Sequence, residues 1–222
     1  FSFPTNFDLQ ETMNNPTLSH QWTIISASAN FWLVFCTPLI IAFCIVQLIL
    51  HKVYPFDKYQ LEEVALLVTS GFCLMCFSRF IYNKDKFFLW AAAMMLVLWI
   101  REIHPPGSSG GVYLGLLALF YIAHKNHHLF AGYIINRRVV TMLGTGFFTY
   151  VISVTTDQRW WKFIPAEKIF HTTLEESMEL VGHILVGSAL LFARNYASQG
   201  HCGIRVIVIN SAILHVKRSK AF

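Results

Sequence analysis

Long apolar runs constrain this chain more than any other feature. A bilayer core about 30 Å thick is crossed by an α-helix of about 20 residues, and an apolar run of that length has few other destinations. That ruler marks spans from about Trp22 to Leu50, Leu61 to Tyr82, Phe87 to Ile100, Val112 to Ala123, Val139 to Thr155 and Leu174 to Ala193. The expected fold is therefore an all-α polytopic transmembrane bundle of about six spans. The apolar stretch Ile204 to Val216 is only about a dozen residues long and reads as an interfacial element or a strand.

Composition agrees. Of 222 residues, 55% are hydrophobic and 13% charged, where a soluble domain carries about 25% charged residues. The 20 Phe, 8 Tyr and 6 Trp suit a chain with two bilayer interfaces. No phosphate loop, dinucleotide fingerprint or nucleic-acid module occurs, so the expected partners are the lipid bilayer and other membrane subunits, with no nucleic acid.

Six spans place the N-terminus, the 2–3 and 4–5 loops and the tail on one side. Lys52, Lys58, Arg101, Arg159, Lys162 and Lys168 fall on the opposite side, and the remaining eleven of the 17 Lys and Arg residues fall with the termini. Cytoplasmic loops carry the basic excess, so both termini are expected in the cytoplasm. The chain then divides into a polar N-terminal segment 1–21, a transmembrane bundle 22–193 and a basic cytoplasmic tail 194–222. Arg205, Lys217, Arg218 and Lys220 in the tail suit an anionic leaflet.

This topology gathers the ionisable residues at one face. Glu62 and Glu63 open the second span, Arg101 and Glu102 close the third with His104 just beyond, Asp157 and Arg159 follow the fifth, and Glu175, Glu176 and Glu179 open the sixth. Ionisable side chains in a membrane are costly unless paired or hydrated, so they turn inward and mark a site or pathway. Glu175, Glu179 and His183 recur at i, i+4, i+8, which sets carboxylates and an imidazole in one helical stripe. Such a set is a divalent-metal site (His183, Glu179, His104), a proton relay, or a counter-charge for Arg101 that holds spans 3 and 6 together. Thr172 or Thr173 ahead of Glu175 and Glu176 is also a capping arrangement.

The pattern Glu62 or Glu63, Arg101-Glu102, Asp157-x-Arg159 and Glu175-Glu176-x-x-Glu179-x-x-Gly182 resembles a family of small, uncharacterised bacterial inner-membrane proteins, over about residues 55 to 193. That resemblance implies the topology and a bacterial inner-membrane location, and no particular activity. Gly107-Ser108-Ser109-Gly110 with Tyr113, and His183 with Gly187, are similar to the serine and histidine helices of rhomboid intramembrane proteases, which would make Ser109 and His183 a catalytic dyad. Against that stand the lack of a preceding His-x-x-x-Asn and the turn-forming character of residues 105–111.

Three function classes follow. The first is a membrane binding or interaction protein, a complex subunit or a handler of a small molecule or ion. The second is a metal-dependent hydrolase acting on lipid or a lipid-linked substrate, and the third is the serine protease. Cys73-x-x-Cys76 has redox or zinc spacing but no second pair. His124 and His128 have the i, i+4 spacing of a helical metal pair, yet with Lys125 and His127 they read as a solvated or headgroup-facing cluster.

Overall fold

The computed structural model describes residues 29–103, 108–134 and 136–194. Within them the chain forms seven helices and no strand: α1 (Phe31–Leu50), α2 (Lys58–Asn83), α3 (Lys86–Glu102), α4 (Ser108–Lys125), α5 (His127–Ile134), α6 (Arg137–Asp157) and α7 (Glu167–Phe192). Residues 1–28, 104–107, 135 and 195–222, with His104, the N-terminal segment and nearly all of the tail, lie outside the described residues.

Local chemistry sets the helix ends. Asp57 accepts from the Gln60 backbone N–H at 2.9 Å while the Gln60 side chain accepts from the Asp57 N–H at 3.1 Å, a reciprocal capping box that starts α2. Asp85 caps α3 and Asn136 caps α6 by the same kind of bond. α7 starts differently. Ala166 precedes it in the left-handed region at φ 65°, with no side-chain cap.

That start corrects one sequence expectation. The Thr172 and Thr173 capping pattern does not begin the last helix, which starts at Glu167, so Glu175 and Glu176 lie two turns inside it. The break set by Pro165 and Ala166 overrides the local cap signal. Two further expectations change. Residues 108–111 belong to α4 rather than to a turn, and the 126–136 connection contains the short helix α5. Because Asn126 interrupts the chain between α4 and α5, His124 and His128 do not share one helix.

Helix directions follow from contacts at both ends. Lys58 meets Glu176 and Arg79 reaches the Leu191 carbonyl, so α2 runs parallel to α7. On α6, Gly146 abuts Val186 and Ser153 reaches Glu179, so α6 is antiparallel to α7. α3 is antiparallel as well, with Phe88 under the Arg79 guanidinium at 4.0 Å and Glu102 against His183. α1 runs with α6, because Asn30 N–H donates to Thr141 and the Phe35 ring meets Phe148 at 4.7 Å. α4 lies antiparallel on α3 through Gly115 against Val97 and the Trp90 indole N–H donating to the Leu119 carbonyl at 2.9 Å.

α7 is the central helix, packed against α1, α2, α3 and α6. It buries Met178, Val186, Ala189 and Leu190 together with Glu179 and His183. The outer faces are the reverse of a soluble protein's. Trp32, Ile40, Phe43, Leu67 and Leu74 are largely exposed, while Thr69, Thr145, Thr149, Ser153 and Thr156 are buried. Among the described residues, three helices, α1, α2 and α6, are long and apolar enough to cross a membrane. An apolar exterior on such helices is what a lipid solvent selects.

Candidate functional site

A close contact between α6 and α7 carries the site. α6 presents Gly146, Thr149, Tyr150 and Ser153 at spacings of three and four, and α7 presents Gly182 and Val186 opposite them. A Cβ on Gly182 would stand 2.7 Å from Thr149 Oγ1 and 2.9 Å from Tyr150 Cζ, so only a bare backbone admits the Tyr150 ring there. Small residues bring membrane helices this close. Among the buried hydroxyls of α6, Thr145, Thr149 and Thr156 donate back to their own helix backbone. Tyr150 and Ser153 reach across to α7.

They meet a cluster completed by the last turn of α3. Tyr150 Oη lies 2.6 Å from His183 Nδ1, and His183 Nε2 lies 2.8 Å from Glu102 Oε1. One turn outward along α7, Arg101 pairs with Glu179 Oε1, which also accepts from Ser153 Oγ at 2.6 Å. The Arg101 guanidinium stands 6.0 Å from the Tyr150 ring centre. His183 is 0% exposed and the Glu102 side chain 2%, whereas Arg101 keeps 26%. Proton logic gives a consistent assignment. An ionised Glu102 only accepts, so Nε2 carries the hydrogen, and Nδ1 is then free to accept from the Tyr150 hydroxyl.

A second, outer group lies nearer the helix ends. Lys58 at the start of α2 bridges Glu62 at 3.4 Å and Glu176 at 3.5 Å, and Tyr54 Oη bonds Ser177 Oγ at 2.6 Å. Along α7, Glu176, Glu179 and His183 thus form a ladder of polar groups that descends about 10 Å into the bundle. Beyond His183 the same face turns apolar with Val186 and Leu190.

The structure therefore brings together Arg101, Glu102, Glu179 and His183, and joins Glu62 to Glu176 through Lys58. It leaves out others. Glu63 is exposed; Asp157 is exposed and accepts from its neighbour Gln158; Glu175 is partly exposed and belongs to neither group. Arg159 turns away to hold Glu167 by two hydrogen bonds at 2.7 and 3.1 Å. Those bonds hold the Arg159 guanidinium above its ordinary pKa. Ser109 stands in the first turn of α4, its side chain, like His104, outside the described residues.

Metal ligation needs a ring nitrogen of His183, and both ring nitrogens already have partners. Among the described residues, no three His, Cys, Asp or Glu side chains are gathered to hold a metal ion. Cys73 and Cys76 are free thiols, and Cys73 Sγ donates to the Ala92 carbonyl at 3.5 Å. Sequence reading missed Tyr150, Ser153 and Lys58. The first two were signalled by their place beside Gly146 and Thr149 on one face of an apolar helix. No family model, curated protein or solved structure matches the chain.

Proposed function

We propose that the protein is a six-span protein of the bacterial inner membrane that takes up a small polar ligand or ion at the buried cluster of Arg101, Glu102, Glu179 and His183, reached from the non-cytoplasmic face. One observation carries the reading: the ladder on α7 that leads from the Lys58–Glu176 pair at the bundle end to a fully buried imidazole. Groups of this kind inside a membrane helix are costly and mark a pathway or site. The alternating helix directions support six crossings. α3, α4 and α7 fall outside the strict length and hydropathy criterion that α1, α2 and α6 meet, yet α7 runs parallel to α2 and α3 runs antiparallel to both. With six crossings, the basic-residue balance puts both termini in the cytoplasm.

The engaged ring nitrogens favour this reading over a metal-bound hydrolase or a Ser109–His183 dyad, each of which needs one of them. The test is thermal unfolding of the protein in lipid nanodiscs, scanned over pH and over sodium, potassium, magnesium and phosphate. A ligand that binds only the folded site raises its stability. At least one of these variables should shift the wild-type Tm by several degrees and leave Glu179→Gln unmoved. A wild-type profile that is flat to all of them, or that Glu179→Gln follows in full, makes the cluster a structural clasp and overturns the reading.

A further inference from the structure

The ladder ends in a place with room for very little. His183 is 0% exposed, its two nitrogens lie 2.6 and 2.8 Å from Tyr150 and Glu102, and Gly182 one residue before it is pressed against the Tyr150 ring. The apolar residues Val186 and Leu190 close the bundle beyond it. A metal ion or an organic ligand would have to break one of these hydrogen bonds and find volume. A proton needs neither.

We infer that the ligand of this site is the proton, and that His183 is the residue that takes it, bracketed by Tyr150 and Glu102. This rests on the proposed role of the buried cluster in taking up a small ligand or ion, and narrows it. In the resting arrangement the Tyr150 O–H donates to Nδ1 and Nε2–H donates to the Glu102 carboxylate. One proton arriving from water is added to Nδ1. The imidazolium then donates from Nδ1 to the Tyr150 oxygen and from Nε2 to Glu102 as before, while the Tyr150 hydrogen turns off Nδ1 to a side where, among the described residues, no second acceptor stands, so that this hydroxyl weighs against the charged form. A phenol oxygen has both an O–H and lone pairs, so it serves either state without a heavy atom moving. No other reactant is required, and release simply reverses the step.

The charged groups around the imidazole fit this use. From α3 come Glu102, in direct contact, and Arg101; from α6 comes the Tyr150 hydroxyl; on α7 itself come Glu179 one turn outward and Glu176 one turn beyond that. α2 contributes Lys58 and Glu62 at the outer end of the ladder, and α1 is followed by Tyr54, whose hydroxyl bonds Ser177. Glu102 stabilises the imidazolium directly. Arg101 opposes it, but Glu179 holds that guanidinium in an ion pair. Glu179 and Glu176 stand at successive turns of α7 on the outer side of His183.

The experiment is nitrogen-15 NMR of histidine-labelled protein in lipid, titrated across its stable pH range, with His183→Gln used to assign the His183 ring signals. The expected result is that both His183 nitrogens move together from the neutral to the imidazolium pattern, with no change in oligomeric state or fold. Tyr150→Phe, which keeps the ring and its packing, should shift the midpoint but preserve the transition. Glu102→Gln should move the midpoint to lower pH by enough to change proton occupancy at least tenfold at a fixed pH. If His183 does not titrate while the nanodisc Tm still responds to one of the added ions, the proton assignment falls and the wider reading stands. If His183 does not titrate and Tm is flat as well, both fall. Should Glu102→Gln or Tyr150→Phe leave the midpoint where it was, the bracketing role of that residue is overturned; circular dichroism of each variant separates that result from a failure to fold.

Discussion

Glu179 accepts from both Arg101 and Ser153 while remaining 5% exposed, so its charge depends on those two donors for all the solvation that the structure shows. Removing one partner of a buried ion pair costs about 3–5 kcal/mol because the other charge is stranded. Arg101 keeps some exposure, which screens the pair, so Arg101→Ala is expected at the low end of that range, about 3 kcal/mol. Replacing both partners by apolar residues, Arg101→Met with Glu179→Leu, should recover most of the loss. Chemical unfolding of the two single variants and the double variant measures this, and a double variant as unstable as the sum of the singles would show that the residues do not act as a pair. Gly182 gives a second residue-scale prediction. Gly182→Ala drives a methyl group into Thr149 and Tyr150, an overpacking expected to cost about 1–3 kcal/mol, while Gly71→Ala, with nothing within 4 Å of the new carbon, should be near neutral. Equal effects of the two substitutions in a thermal melt would contradict the close approach of α6 and α7. The charged members of this cluster were legible because charge in an apolar run stands out. Tyr150 and Ser153 were not, since neither carries charge and a membrane helix can place a tyrosine or serine without penalty at an interface or against its own backbone.

At the scale of the elements, most of the apolar runs coincide with helices to within a few residues, because a long apolar run leaves the backbone little alternative. The ends were harder to read. At α7, a threonine pair followed by glutamates imitated a cap, while the real start lies at a left-handed Ala166 that offers no sequence signature of its own. A non-glycine residue in that region is strained, so Ala166→Gly should stabilise the protein by about 0.5–1 kcal/mol. A loss of stability would mean that the left-handed turn is not where α7 begins. At α2 the capping box is the anchor of the end that carries Lys58. Asp57→Ala should cost about 1 kcal/mol and loosen the Lys58 bridge to Glu62 and Glu176. Amide hydrogen exchange over residues 57–62 would report it as faster exchange confined to the first turn of α2, and unchanged protection there would count against the cap.

At the scale of the whole molecule, access to the cluster depends on which helices cross the bilayer. If only α1, α2 and α6 crossed, α3 would start and end on one side, and the loop after α2 and the residue after α3 would face the same compartment. The contacts favour the other arrangement. α3 begins beside the end of α2, where Arg79 lies over Phe88, and runs back along α2 until Glu102 meets His183 in the middle of α7. Its 17 residues span about 26 Å, close to a bilayer core. Cysteines placed singly at Lys84, Ile103 and Lys162, in a background lacking the five native cysteines, separate the two arrangements. With six crossings, a thiol reagent that cannot pass the membrane should label Ile103→Cys and Lys162→Cys from outside intact cells and reach Lys84→Cys only after the membrane is opened. Protection of Ile103→Cys alongside Lys84→Cys would leave α3 on the cytoplasmic side. The cluster built from Arg101 and Glu102 would then have no route to the outer face, and a proton arriving at His183 would have to come from the cytoplasm.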